Sequence, residues 1–328
     1  MARDVRIAAG EVRSFVFELA DSYEGSTVNI PVTVLRGAAA GPTLLLTGTI
    51  HGDELIGVPI MLALRERLNP ASLNGTLILL PVVNPFGFQR QTRVLPDQRD
   101  LNRYFPGNPR GSLANRIANR IFRNFVLPSD YCIDFHTAAS GRANAPHVRA
   151  DPGSEDARRL AQGFGGMVVL HTAQPGTLRY AATRAGVPAA IFEGGESGRL
   201  DADTVEVGVR GVQNLLSSLG MVAGEKPGGG DPMWMRFSPW LRADVGGVVD
   251  LAVALGDVVQ PNQRLLTIRS TLDGQRADLL APQSGIVISI ARSPVAQPGN
   301  AVVRLGIVER AAGEAAPSTA PEDEMPEE

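Results

Sequence analysis

The sequence predicts an α/β fold, a doubly wound mixed sheet with a smaller C-terminal all-β domain, and three observations carry the prediction. Residues 43–50, "TLLLTGTI", form a continuous apolar run, the pattern of a strand covered on both faces. Segments with apolar residues at helical spacing follow such runs, so strand and helix alternate. Beyond a Gly/Pro-rich stretch at 223–232, every segment is short, β-like and bounded by Gly, Pro or Asn, as in a small antiparallel domain.

The elements follow in order. Ser14 to Leu19 and Val28 to Leu35 alternate around the turn-rich "ADSYEGST" and read as an opening hairpin. The strand at 43–50 leads into "LIGVPIMLALRERL", a helix by its period. "TLILLPVV" (76–83) is the next strand, 112–126 a helix with Ser112 as its N-cap, and "YCIDFHT" (131–137) a third strand. "MVVLHT" (167–172), a helix near 178–185, "PAAIFEGG" (188–195) and a helix at 205–219 continue the alternation. The boundaries are therefore a first domain over 1–222, a linker over 223–232, a β-rich accessory domain over 233–308 and an acidic tail over 309–328. Five acids crowd the last seven positions among Pro, Ala and Ser, so the tail reads as disordered.

Composition narrows the function. The chain has 328 residues, 44% of them hydrophobic, enough for a full core and more than one domain. A net charge of −3 calls for neither nucleic acid nor an anionic membrane, so a small molecule is the expected partner. Cys132, the single cysteine, sits in an apolar stretch and reads as a buried bystander, which excludes a disulfide framework or a thiolate metal cluster. No apolar run suits a secretion signal or a membrane span, so a cytoplasmic, soluble protein is expected. A homo-oligomer is compatible with all of this.

Ligands of open α/β sheets bind outside the carboxyl ends of the strands, and four strand ends here carry polar groups. His51 and Glu54 follow the first buried strand, Asn84 the second, His136 ends "YCIDFH" and Glu193 ends "PAAIFE". Two histidines and one carboxylate are an established ligand set for a catalytic zinc with one open position. A satisfied core histidine is the plain alternative for His136. Asp134 could back a ligand, although strand alternation leaves its target open. Glu193, at a strand end among small residues, is placed to take a proton from a metal-bound water. Glu196 competes for that role, and a helix-initiating acid is the plain alternative for either. The loop "RVLPDQRDLNRYFPGNP" (93–109) carries Arg93, Arg99 and Arg103, guanidinium forks suited to a carboxylate or a developing oxyanion, with Asn102 as a further donor. Surface charge is the alternative, and the one taken for Arg99. His147, in the loop "RANAPHVRA", could line the mouth of the site but reads as a loop-surface residue, and His171 as structural.

"HGDE", "DLNRYFPG", "DFHT" and "FEGGE", in that order, resemble the succinylglutamate desuccinylase/aspartoacylase family of zinc-dependent hydrolases, themselves similar to metallocarboxypeptidases. The resemblance spans nearly the whole chain. It implies a sheet of zinc-carboxypeptidase type, one Zn2+ per chain on His51, Glu54 and His136, and Glu193 as base and proton shuttle. It further implies Asn102 and Arg103 on the substrate carboxylate and Arg93 polarising the scissile carbonyl. No match for the family's cap over the substrate is apparent. The accessory domain resembles a biotinyl/lipoyl barrel-sandwich hairpin, but "RSTLDGQRAD" contains no lysine, which excludes cofactor attachment and leaves a role in restricting access. The expected activity is hydrolysis of the amide of a small carboxylated N-acyl amino acid. The competing readings are a metallocarboxypeptidase acting on peptides or cell-wall fragments, and a catalytically silent binding scaffold.

Overall fold

The computed structural model describes residues 6–21, 25–223 and 231–308. The expected tail and most of the expected linker lie outside the described residues, as does the tip of the first hairpin.

The opening hairpin forms from β1 (Glu11–Asp21) and β2 (Thr27–Arg36), longer at both ends than its alternation suggested. Then come β3 (Ala39–Gly48), α1 (Gly57–Arg67), β4 (Asn74–Leu80), α2 (Pro85–Arg90) and α3 (Leu113–Ile121), the last capped by Ser112 as expected and ending in a π-turn over 122–126. Next are β5 (Tyr131–Ala138), β6 (Arg142–Ala150), α4 (Glu155–Phe164), β7 (Met167–Leu170), α5 (Leu178–Arg184), β8 (Ala189–Glu196) and α6 (Ala202–Ser218). The sequence pattern gave no sign of β6 or α4. In β6, "RANAPHVRA" mixes Arg, Asn and His with alanines, so it lacks the apolar signature of a buried strand although most of it is buried.

Among the described residues thirteen strands share one sheet, and its centre runs β4-β3-β5-β8, all parallel. The chain leaves β3 for β4 on one side and returns to β5 on the other. The strand order therefore reverses beside β3, where open sheets form their ligand crevice. Side chains alternate across the sheet. Leu45, Ile78 and Cys132 enter one core with α3 and α5, whereas Leu44, Leu46 and Ile133 enter the other with α1, α4 and α6. Leu44, Leu45 and Leu46 are all fully buried, each contributing roughly 1.5–3 kcal/mol of apolar burial. That two-sided burial explains why β3 reads as a continuous apolar run.

Beyond residue 231 only strands follow among the described residues: β9 (Met233–Phe237), β10 (Leu241–Arg242), β11 (Gly247–Leu251), β12 (Val258–Val259), β13 (Arg264–Arg269), β14 (Arg276–Leu280), β15 (Gly285–Ala291), β16 (Val295–Ala296) and β17 (Ala301–Val308). A four-stranded sheet, β14-β13-β11-β16, shares a core with β15 and β17. The large sheet continues through this region. β7 pairs with β9, β9 with β17, β17 with β15, and β15 returns to β6, which pairs with β7. These five strands close a barrel, and the C-terminal β unit is hydrogen-bonded directly to the α/β part.

Candidate metal centre

Backbone geometry brings the first two candidate ligands into the crevice. After β3, Thr49 takes a positive φ of 57°, strained for a β-branched residue, and its carbonyl accepts from Asn84 N. Asn84 caps α2 by accepting from Gly87 N and donates its amide to the Ile50 carbonyl at 3.1 Å. Asn84 is thus a clamp on the turn that presents His51. The turn passes so close to α2 that a Cβ on Gly52 would lie 1.9 Å from the carbonyl carbon of Gly87.

β5 runs beside β3, and its far end brings His136 to the same place. One donor atom each from His51, Glu54 and His136 lies within 4.8 Å of the others, and all three residues are buried. His51 Nδ1 lies 2.7 Å from Glu54 Oε1, and His136 Nδ1 lies 2.8 Å from Glu54 Oε2. Each imidazole backs its other nitrogen onto an aspartate. His136 Nε2 meets Asp134 Oδ2 at 2.7 Å, and His51 Nε2 meets Asp100 Oδ1 at 3.1 Å. Thr47 Oγ1 donates to the remaining oxygen of Asp134.

This arrangement fits a zinc ion. The donors are two imidazole nitrogens and one carboxylate, the set that leaves a tetrahedral position open. Carboxylates behind both histidines fix their tautomers and raise their basicity.

Electrostatics follow from burial and pairing. Burial opposes charge on Glu54, yet His51 and His136 outweigh it and hold the carboxyl well below its usual range. Burial likewise opposes charge on His136, but Asp134 and Glu54 push its imidazole well above the ordinary 6.5. His51 is raised in the same way by Glu54 and Asp100. Asp100 is held far below a normal carboxyl, because hydrogen bonding and charge from His51, with Arg93 and Arg103, overcome its burial. Cys132 is fully buried and its thiol is pushed well up by that burial, as expected of a bystander.

Glu193 does not end its strand, since β8 runs on to Glu196, but it stands in register with His136 on β5. Its Oε2 accepts from Asn144 Nδ2 at 3.0 Å, and Arg149 Nη2 stands 3.4 Å from Oε1. Glu196 instead pairs with Arg199 and Arg292.

A family model described as the succinylglutamate desuccinylase/aspartoacylase catalytic domain matches residues 40–219, more than half of the chain. The chain belongs to the succinylglutamate desuccinylase/aspartoacylase family. It is 32% identical over 260 residues to the N-alpha-acetyl-L-2,4-diaminobutyric acid deacetylase of Halomonas elongata, covering 74% of this chain and 75% of that one. Its structure is similar to a succinylglutamate desuccinylase/aspartoacylase from Rhodobacter sphaeroides, with a TM-score of 0.81 at 27% identity over 93% of this chain and 98% of that one. It is also similar to the apo ectoine utilization protein of Ruegeria pomeroyi, with a TM-score of 0.77 at 26% identity over the same shares.

Of the other residues singled out by the family resemblance, Arg93 touches a candidate ligand directly. Arg93 donates to Glu54 Oε1 at 3.0 Å and to Asp100 Oδ2 at 3.1 Å. Asn102 is buried, and its Oδ1 accepts from Leu178 N at the start of α5. Nothing among the described residues accepts from its Nδ2. Arg103 donates to the Asn102 carbonyl. Exposed Arg99 pairs with half-buried Asp97, in keeping with surface charge.

Two readings need correction. His147 is no loop-surface residue; it lies on β6, is 2% exposed, and packs edge-on against Phe237. Asp134 has a definite target. It stands two residues from His136, so the strand pleat puts both side chains on one face, a signal the sequence did contain. The sequence singled out neither Asp100, which backs His51, nor Asn144, which donates to Glu193. No local pattern aims Asp100 at His51, 49 residues away.

Proposed function

We propose that this protein hydrolyses the amide bond of a small carboxylated N-acyl amino acid in a zinc-dependent reaction, with His51, Glu54 and His136 holding the ion. The observation that carries this reading is the convergence of those three buried donors, each imidazole backed by an aspartate, at the strand-order reversal of the sheet. When bound, zinc supplies a Lewis acid for the scissile carbonyl and makes a neighbouring water more acidic. Glu193 takes the proton of the attacking water and delivers it to the departing nitrogen, so that the C–N bond breaks without releasing a charged amide. Arg93, held against Glu54 and Asp100, turns a guanidinium toward charge developing on the carbonyl oxygen. Arg103 and the Nδ2 group of Asn102 grip the substrate carboxylate, which fixes the amide in the crevice. We also read the wound sheet as one of zinc-carboxypeptidase type.

The test is metal content by plasma mass spectrometry on the protein and on His136→Ala. It runs beside hydrolysis of a panel of N-acetyl and N-succinyl amino acids that includes N-acetyl-2,4-diaminobutyrate, the substrate class named for the Halomonas relative. About one zinc per chain, lost in the variant together with turnover, is the expected result. A wild-type protein that cannot be loaded with zinc, or loaded protein inert on the whole panel, refutes the reading.

A further inference from the structure

The geometry points to Ser289, on β15 of the C-terminal β unit, as a positioning residue that holds Glu193 in place through Asn144. The inference rests on the reading of Glu193 as the base. Glu193 Oε2 accepts from Asn144 Nδ2 at 3.0 Å, and Ser289 Oγ lies 2.6 Å from Asn144 Oδ1. All three side chains are buried. An ionised carboxylate can only accept, so the amide of Asn144 must face Glu193 with its NH2 group. Its oxygen then faces Ser289, and the hydroxyl must donate. One direction of donation satisfies all three groups, from Ser289 to Asn144 to Glu193.

The topology is built around this chain. β6 is the strand between, paired with β8 over one part of its length and with β15 over another. Ser289 and Asn144 are direct cross-strand partners. A register shift falls next to each of them, between Asn144 and His147 against β8 and between Val287 and Ser289 against β17. Such irregularities re-aim side chains near active sites. A second tie fastens the same part of the fold, with Arg292 just beyond β15 donating to Glu196 Oε2 at the end of β8. A base must be held to about 0.5 Å of its working position by neighbours that are themselves fixed. A C-terminal unit that only covered the crevice would need no hydroxyl at 289.

The experiment uses the full-length, zinc-loaded protein and the best substrate of the panel. Ser289→Ala lowers kcat by roughly 10-fold with KM changed less than about twofold and zinc content unchanged, the loss typical of removing a partner behind a working group. Ser289→Thr, which keeps the hydroxyl, restores most of kcat. In an Asn144→Ala background Ser289→Ala has no further effect, because a residue acting through Asn144 is silent without it. A readout independent of turnover is the side-chain amide resonance of Asn144, assigned by its loss in Asn144→Ala; Ser289→Ala shifts it and speeds its exchange. If Ser289→Ala does not fold, Ser289→Cys, of similar volume and weaker as a donor, carries the same expectation. Wild-type kcat with an unmoved Asn144 amide, or additive losses in the double variant, overturns the proposal. Glu193→Gln is measured in parallel. If it destroys turnover while Ser289→Ala behaves as wild type, only the positioning role falls; if it keeps turnover, the base reading falls and the proposal with it.

Discussion

Asp134→Asn isolates what a buried charge behind a histidine contributes. Asp134 is 1% exposed, with one oxygen on His136 Nε2 at 2.7 Å and the other on Thr47 Oγ1 at 2.7 Å. Asparagine can keep both contacts if its oxygen faces the imidazole and the Thr47 hydroxyl turns to accept, so shape is preserved and charge is lost. Removing such a partner weakens zinc binding about 10–100-fold, or roughly 1.4–2.7 kcal/mol. An opposing effect acts in the metal-free chain. Asp134 is the foremost group raising the His136 pKa against burial, so the variant has less of a proton to expel when the ion enters. The two effects separate with pH. Above the raised pKa of His136 no proton competes and the full loss appears, whereas at lower pH the loss narrows. Competition against a chromophoric chelator at several pH values measures this. Equal zinc affinity of variant and wild type at high pH refutes the reasoning, because it would mean that His136 gains nothing from the charge.

Asp100→Asn should weaken zinc binding in the same direction but less, since the Asp100 side chain is 19% exposed and its contact to His51 is longer, at 3.1 Å; a larger loss than that of Asp134→Asn in the same titration would reverse this ranking. In the metal-free protein, His136 and His51 have raised pKa values and Glu54 a lowered one. The imidazolium contribution to stability is complete below 6.5 and fades as pH rises through the folded values, and the Glu54 contribution is complete above 4.5 and fades as pH falls through its depressed value. Melting temperature of the metal-free chain should therefore decline from pH 6 toward alkaline pH while zinc affinity rises, and a metal-free melting temperature that climbs over that range would contradict the assignment. Gly52→Ala places a Cβ 1.9 Å from the Gly87 carbonyl carbon, so the turn must move, at about 1–3 kcal/mol and with loss of zinc affinity; thermal melts and the chelator titration check both, and a wild-type melt would show that the approach is loose.

The sequence by itself determined the layered fold and the three candidate ligands. Apolar runs such as 43–50 and 131–135 are local, so their burial on both faces is written in consecutive residues, and the polar groups that end them fall at one edge of the sheet by the parallel arrangement alone. Asp134 was legible for the same reason, since two-residue spacing on a strand fixes the face. Asp100, Asn144 and Ser289 were not. Asp100 reaches His51 from a separate loop, and Ser289 meets Asn144 across 145 positions, through pairings whose register is set by shifts between strands and not by any period within them. β6 stayed hidden because most of its buried side chains are polar or small, and Asn144 takes its partners from β8 and β15. The tertiary structure decided those contacts, because a buried polar group takes its meaning from a partner that only the folded chain brings within hydrogen-bond reach.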